Sequence, residues 1–447
     1  MLRISIPLLL LLLFTWVPSG LAAPVTLREA IESAAQQRPL TKAARADAEA
    51  AQAAADAAGS RMLPRLGLQE NFLITDEPAS SLFISLNQED LTLHTTADPY
   101  NHPPTRHDFE TRLTLDQPLF DPDIRYGRRR ARQGARAADA RARWSTEEAA
   151  FAAFRSYLRL QQSEAALAWA QSSRQQAAEI ERLARERYQN GVGLKADHLR
   201  ARVALSEAKR RVLSAENDRY LARRSLALAM GRPEGEPTIA APVTEDLFAG
   251  KSPDAAMAAR ADLSALQHDV RQSEEAVAQG KAAYWPKLHL SASYSLHDED
   301  VPLGTDAGSW RLWSGLSWDL FDGGSRHHNL VAARAEERAA EARLEETANQ
   351  AAFQLEQARL RAEEARLRLE TARISVGEAE ESLSLVQQRF ENGLAPLSDL
   401  LGVRAALDRA RWDRLQAETE LLETLGRRAF EQGVFLKTLS PQEEDRP

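Results

Sequence analysis

Residues 388–401 read QRFENGLAPLSDLL, and residues 186–199 read ERYQNGVGLKADHL. Aligned without a gap, Arg187, Asn190, Gly191, Asp197 and Leu199 fall on Arg389, Asn392, Gly393, Asp399 and Leu401, 202 residues later. Asn-Gly is a pair tolerant of the positive φ that ends a helix. The following Asp sits where a returning helix would begin, so its carboxylate is expected to meet free backbone N–H groups and the positive end of the helix dipole. A turn of this kind used twice implies two long helices that each reverse, and so a chain built from two halves.

The prolines bound those helices. None occurs from Asp123 to Arg232 or from Leu303 to Ala395, whereas residues 76–122, 233–253 and 286–302 are rich in it. This predicts helices from about Ile124 to Gln189 and from about Ser325 to Glu391, each roughly 100 Å long at about 1.5 Å per residue. In the second, Phe353, Leu360, Leu367 and Ile374 recur every seven residues, as do Leu355, Ala362, Leu369, Val376, Leu383 and Phe390. The two series are offset by two residues, about 200° around a helix. One apolar seam would describe a two-stranded coiled coil; two opposed seams call for neighbours on both sides, as in a wall. The first half carries the same register in Trp144, Phe151, Leu158 and Ala165 and in Ala153, Leu160 and Leu167.

Ahead of each long helix lie alternating segments. Leu66, Leu68 and Phe72 oppose Arg65, Gln69 and Asn71, and Phe109, Leu113 and Leu115 oppose Glu110, Arg112 and Asp116. In the second half Leu288, Leu290, Ala292, Tyr294 and Leu296 oppose Lys287, His289 and three serines, and Trp310, Leu312, Leu316, Trp318 and Leu320 oppose Arg311 and Asp319. A period of two with one apolar face is a strand with one buried face, in a soluble hairpin or in a membrane barrel. The lengths match the about 9 to 11 residues of a tilted membrane strand. Tyr284, Trp285, Trp310, Trp313 and Trp318 gather where interfacial girdle aromatics belong. Four strands per chain cannot close a barrel, so copies must combine; dimer and trimer both give an even count.

The first 23 residues combine one Arg, a Leu-rich run and small residues before Pro24, a secretory signal with cleavage after Ala22 or Ala23. The expected plan is a signal at 1–23, a first repeat at 24–232 with a hairpin at 64–118, a linker at 233–253, a second repeat at 254–433 with a hairpin at 286–320, and a tail at 434–447. With no cysteine, the chain offers no disulfide, thiolate ligand or N-terminal Cys for a lipid. A formal charge of -8 without a sustained basic block argues against nucleic acid as a partner. No GxSxG, HExxH or phosphate-binding glycine loop occurs, and no cofactor or metal site is expected. His327-His328 and the scattered His94, His102 and His107 read as surface residues or as ligands of an exported metal. Asp197 and Asp399 as an acid/base pair is the remaining enzymatic reading.

The pattern Arg-aromatic-x-x-Gly-x-x-x-x-x-Asp, present as Arg187, Tyr188, Gly191 and Asp197 and again as Arg389, Phe390, Gly393 and Asp399, resembles the repeat signature of the TolC-like outer membrane efflux family. PLFDPDIRYGRRRA and DLFDGGSRHHNLVAA at the strand-to-helix junctions are similar to that family too, as is MLPRLGL paired with YWPKLHL. The resemblance covers essentially the whole mature chain. It implies a mixed α+β membrane protein: a homotrimer with a twelve-stranded outer membrane barrel and a periplasmic α-helical barrel. It further implies a passive exit duct that works with a periplasmic adaptor protein and an inner membrane transporter in efflux or type I secretion. In that scheme Arg187, Asn190, Gly191, Arg389, Asn392 and Gly393 form the periplasmic tip and the adaptor contact, and Asp399 with Asp197 the gate. The family's second acidic position falls on Gly402 here, and its gate arginine on Ala395. The alternative is a periplasmic helical interaction protein that never enters lipid. Within the first hairpin, residues 75–104 are expected to form an extracellular lid.

Overall fold

Aspartate and proline start the first long helix where the sequence predicts. Pro122 takes the first helical position, and Asp121 Oδ1 accepts the N–H groups of Asp123 at 3.0 Å and Ile124 at 3.3 Å. The computed structural model describes residues 24–248 and 260–439, so the signal segment, part of the linker and part of the tail lie outside the described residues. The order is α1 (Leu27–Gln37), α2 (Pro39–Ser60), β1 (Arg65–Thr75), α3 (Pro78–Asn87), α4 (Asp98–Asn101), β2 (Arg106–Phe120), α5 (Pro122–Gln189) and α6 (Lys195–Ala229). There follow α7 (Ala261–Ala282), β3 (Lys287–Asp298), β4 (Ala307–Ser317), α8 (Ser325–Glu391), α9 (Leu397–Glu431) and α10 (Phe435–Leu439). The long helices end within two residues of the expected bounds, at 68 and 67 residues.

Among the described residues two units form, and they cut across the sequence repeats: 43–144 with 260–351, and 24–42 with 145–248 and 352–439. The strand unit holds one antiparallel sheet in the order β1-β2-β3-β4, so the two hairpins join through the β2–β3 pair. The register aligns the apolar positions across all four strands. Leu66 pairs with Leu115, Leu68 with Leu113 and Phe72 with Phe109; Leu113 pairs with Tyr294 and Leu115 with Ala292; Tyr294 pairs with Trp310 and Leu288 with Leu316. That face is bare: Leu66, Leu68, Phe72, Trp310, Leu312 and Leu316 are all more than half exposed, Trp310 at 78%. The opposite face carries the polar contacts. Asn71 Nδ2 donates to Glu110 at 3.3 Å, Arg112 Nε donates to Glu110 at 2.9 Å, and His297 Nδ1 lies 2.9 Å from Asp108 in a buried pair. A soluble hairpin would cover its apolar face, whereas here that face is left open, as expected of a strand set facing lipid, and the buried Asp108–His297 pair lies on the other face.

Two expectations are corrected. Strand β4 ends at Ser317, so Trp318 and Leu320 lie beyond it, and Trp318 Nε1 instead donates to Tyr284 O at 3.0 Å. Trp313 pairs with Ser291, on the face of Arg311 rather than that of Trp310, and packs edge-on to His289 at 4.6 Å. A lipid-facing girdle role does not fit that parity. The connection from β1 to β2, expected as a lid, forms α3 and α4 at the end of the sheet away from α5. Gln88 just after α3 donates to His107 O at 2.8 Å and to Asp108 Oδ1 at 3.0 Å, tying the connection to the buried Asp108–His297 pair.

In the helical unit the two seams differ between the halves. On α5 both are buried, with Phe151, Leu158, Ala153, Leu160 and Leu167 all at 5% exposure or less; only Ala165, at the end of its series, is exposed. On α8 the series Ala362, Leu369 and Val376 is buried, and Ala365, Leu369 and Ala372 form a core with Ala417 and Leu421 of α9. The other series, Phe353, Leu360, Leu367 and Ile374, is uncovered. Helix α6 shows a second uncovered stripe at Leu199, Val203, Leu213, Tyr220, Leu221 and Leu228. Inside the unit, Phe151, Phe154, Phe430 and Phe435 stack into one aromatic cluster. The segment after α6 is stitched to α5: the buried Tyr157 donates to Ala241 O at 2.8 Å, and Gln161 exchanges two hydrogen bonds with Val243. Val25 bridges Ile239 in parallel.

Candidate functional site: the doubled helix turn

The two turns have one geometry because they have one sequence pattern. Gly191 and Gly393 both sit at φ 75°. In the first, the N–H of Gly191 donates to Tyr188 O at 3.1 Å and that of Val192 to Arg187 O at 3.0 Å. In the second, Gly393 donates to Phe390 O at 3.0 Å and Leu394 to Arg389 O at 2.7 Å. These are the paired 5→2 and 6→1 bonds of a Schellman motif, and each helix carries a basic residue, Arg187 or Arg389, in its last turn. A Cβ on either glycine would meet nothing within 4 Å, so the requirement for glycine there is conformational alone. Gly193 differs: a Cβ there would stand 2.8 Å from Arg187 Cβ and 2.9 Å from its carbonyl carbon, whereas the equivalent residue of the second turn is Ala395.

The structure brings parts of the two turns together. The Arg187 guanidinium lies over the Phe390 ring at 4.8 Å, a cation–π contact between the end of α5 and the end of α8. Beneath it, Ala184, Ala201, Leu397 and Leu400 form a buried cluster with Ile180, Leu383, Val386, Phe390 and Leu401 packed against it. All four long helices meet in that cluster. Tyr188 stacks on His198 with ring centroids 6.0 Å apart and planes 2° from parallel.

Asp197 and Asp399 are each the third residue of their helix, in the first turn as expected. The expected capping bond is not made. The N-cap positions are Leu194 and Pro396, both extended and without a side-chain cap, because the chain enters each helix directly from the turn. Asp197 lies 3.7 Å from Arg200, and Asp399 accepts the Ser398 hydroxyl at 3.3 Å. Among the described residues no hydrogen bond or ion pair joins Asp197 to Asp399, and none joins either to Asn190 or Asn392. Among the described residues no contact couples the two carboxylates as an acid/base pair. His327 and His328 stand next to one another at 5.4 Å between rings, and among the described residues no three His, Asp or Glu side chains are placed to hold a metal.

Sequence reading missed the apolar knobs. Val192, Leu194 and Leu394 are all more than two-thirds exposed at the turns. The signal was available: a Schellman residue after the glycine is usually apolar and packed back, and here nothing in the chain takes it. Deeper along the same helices, the Ser173 hydroxyl donates to Asp408 at 3.2 Å and Arg211 approaches the same carboxylate at 3.9 Å, linking α5, α6 and α9 by charge.

At the sheet, two aromatic levels appear. Tyr294, Trp310, Phe72 and Phe109 lie toward one end of the apolar face, and Tyr284, Trp285 and Trp318 stand at the end that leads into the helices.

These features match known proteins. The sequence profile of the family described as "Outer membrane efflux protein" matches residues 30–232 and 252–427. The outer membrane protein OprJ of Pseudomonas aeruginosa is 25% identical over 152 residues, a match that covers 34% of this chain and about a third of OprJ's length, 32%. The CmeC outer membrane channel of Campylobacter jejuni shares the fold with a TM-score of 0.75 at 16% identity, over 94% of this chain and 87% of that one. A membrane protein from Pseudomonas aeruginosa aligns with a TM-score of 0.79 at 19% identity, over 91% and 93%. The outer membrane protein VceC of Vibrio cholerae aligns with a TM-score of 0.74 at 20% identity, over 91% and 96%. With the family profile spanning most of its length, the chain belongs to the outer membrane efflux protein family.

Proposed function

We propose that this chain is the exit duct of a tripartite efflux or type I secretion system. It assembles as a homotrimer and passively conducts cargo handed over by an inner membrane transporter and a periplasmic adaptor. The observation that carries this reading is that the protomer is unfinished at both of its units. The sheet has two open edges, β1 and β4, beside a bare apolar face, and an open edge does not survive in lipid. The helical unit has two uncovered stripes, on α6 and on α8. Contact between β4 of one copy and β1 of the next, and between the α8 stripe of one and the α6 stripe of the next, is head-to-tail, and head-to-tail contacts that close make rings. Three copies give twelve strands, the number the family resemblance implies.

In this scheme Asp399, with Asp197, lines the gate, and the turns at Arg187, Asn190, Gly191, Arg389, Asn392 and Gly393, with their exposed Val192 and Leu394, meet the adaptor. Trp310, Tyr284, Trp285 and Trp318 sit at the membrane interfaces. The discriminating experiment is fractionation of cells followed by sizing in detergent. An outer membrane trimer that forms ion-conducting pores in planar bilayers is expected. A water-soluble periplasmic species would overturn the reading and restore the non-inserted interaction protein.

A further inference from the structure

The end of the sheet that leads into the helices carries a cleft away from the doubled turns. It has a volume of about 490 Å³, within the range of small-molecule sites, and is walled by Leu119, Phe120, Tyr126 and Trp285, with Arg125 and Lys281 on the opposite elements α5 and α7. The backbone creates it. A register shift between Pro118 and Phe120 sets Phe120 opposite Leu288 and leaves Leu119 as the extra residue, a β-bulge that also accommodates a proline in a central strand. Gln117, at an apolar-face position, turns its amide onto Met62 O and Pro118 O, each at 2.8 Å, and so closes the strand end without filling the cleft.

The charges are left unbalanced. Asp121 is engaged by the amides of Asp123 and Ile124 and faces Lys287 at 3.7 Å, and Asp123 accepts the Gln279 amide at 2.8 Å. Among the described residues neither Arg125 nor Lys281 has an ion-pair partner. Two cations without counter-ions therefore stand over an apolar wall continuous with the bare face of the sheet, at the level of Tyr284, Trp285 and Trp318, where headgroups lie. An anion alone would use the cations and leave the wall wet, while a neutral apolar ligand would use the wall and leave the cations unanswered. One amphiphile uses both.

We propose that this cleft is a binding site for an acidic phospholipid of the membrane leaflet on the helix side, its phosphate between Arg125 and Lys281 and an acyl chain along Leu119, Phe120 and Trp285. The proposal rests on the reading of this sheet as lipid-embedded. Each cation is expected to contribute roughly five-fold to lipid affinity, roughly 25-fold together.

The test is native mass spectrometry of the assembled full-length channel, titrated separately with phosphatidylglycerol, with phosphatidylcholine of the same chains, and with inorganic phosphate. Wild type retains phosphatidylglycerol in preference to phosphatidylcholine, and phosphate does not displace it; the R125Q/K281Q double variant loses the preference while a K209Q/R210Q control keeps it. Equal retention of the two lipids, retention unchanged in R125Q/K281Q, or displacement by phosphate alone would each overturn the site. Oligomer mass and pore conductance are read on the same samples. A chain that conducts but shows no lipid preference defeats only the site, whereas one that neither assembles nor conducts defeats the duct reading itself.

Discussion

Replacing Leu360 and Leu367 together by alanine separates assembly from folding. Both belong to the uncovered seam of α8, at 53% and 66% exposure in the single chain, whereas Leu369 on the opposite seam is at 4%. Fully burying a leucine stabilises by about 1.5–3 kcal/mol, so covering the exposed half to two-thirds of each is worth about 1–2 kcal/mol. Two such side chains at each of the three interfaces of the proposed trimer sum to roughly 6–12 kcal/mol, and even the low end is on the order of 10⁴-fold in the assembly constant. The protomer loses little, because these atoms touch solvent until a second copy arrives. Leu369→Ala does the reverse: it opens a cavity against Ala417 and Leu421 of α9 and costs about 2–5 kcal/mol of protomer stability. The assay is a dilution series in detergent, read by unboiled gel electrophoresis and sedimentation, with circular dichroism to follow the fold. L360A/L367A is expected to dissociate at concentrations where wild type is trimeric, with helix content intact. An undiminished trimer on dilution would refute the head-to-tail stripe contact.

Other perturbations test the turns and the electrostatics. Gly191→Ala or Gly393→Ala forces a Cβ into left-handed backbone and should cost roughly 1–2 kcal/mol each in thermal unfolding, with little change in conductance; Gly193→Ala, which collides with Arg187, should change conductance as well. Asp399→Ala should widen or leak the closed gate and weaken cation block in planar bilayers, and unchanged conductance and block would remove Asp399 from the gate. Burial pushes the Glu147 carboxyl up to about 7, against a hydrogen bond from the Leu436 N–H and the nearby Lys437, from an ordinary value of 4.5. Because the unfolded chain loses that proton first, stability contributed at Glu147 is full below about pH 4.5 and is lost as pH rises toward 7. Glu147→Gln should flatten that slope in thermal melts at pH 5 and 8, and an unchanged slope would place the titration elsewhere.

Much of this architecture was legible because its signals are long. A helix of 68 residues gives two seams many turns in which to declare themselves, and its ends are marked by Pro122 and by Gly191. The strands were legible in alternation but not in extent. Trp318 continues the period of two past Ser317, and only the hydrogen bond from its indole to Tyr284 shows that the chain has left the sheet. Trp313 was misplaced because aromatic content was read without parity. The turn aspartates were placed correctly but given a bond they do not make, since a residue two positions before each of them, Lys195 or Leu397, already begins the helix. Helices α3 and α4 escaped notice because neither is long enough for a periodic signal, and α3 is pinned by Gln88 and Asp108 rather than by its own propensity.

The seam asymmetry is the one property that no self-comparison of the sequence could give. Both long helices carry the same two opposed series, so pattern alone treats them as equivalent. Packing breaks the equivalence: α5 has both series covered within its own chain, and α8 has one left open. A chain that satisfied itself completely would end as a closed monomeric bundle. Leaving one stripe open on α6 and a different one on α8 gives the protomer two unlike faces for head-to-tail contact, the arrangement that can close into a ring. The same logic holds at the sheet, where β2 and β3 are paired on both sides within the chain and β1 and β4 on one side only. The consequence is specific to the seam. Replacing Leu360, Leu367 and Ile374 together by glutamine should yield folded monomers, whereas the same changes at Phe151, Leu158 and Leu160 should abolish folding, because those side chains are buried within the protomer itself.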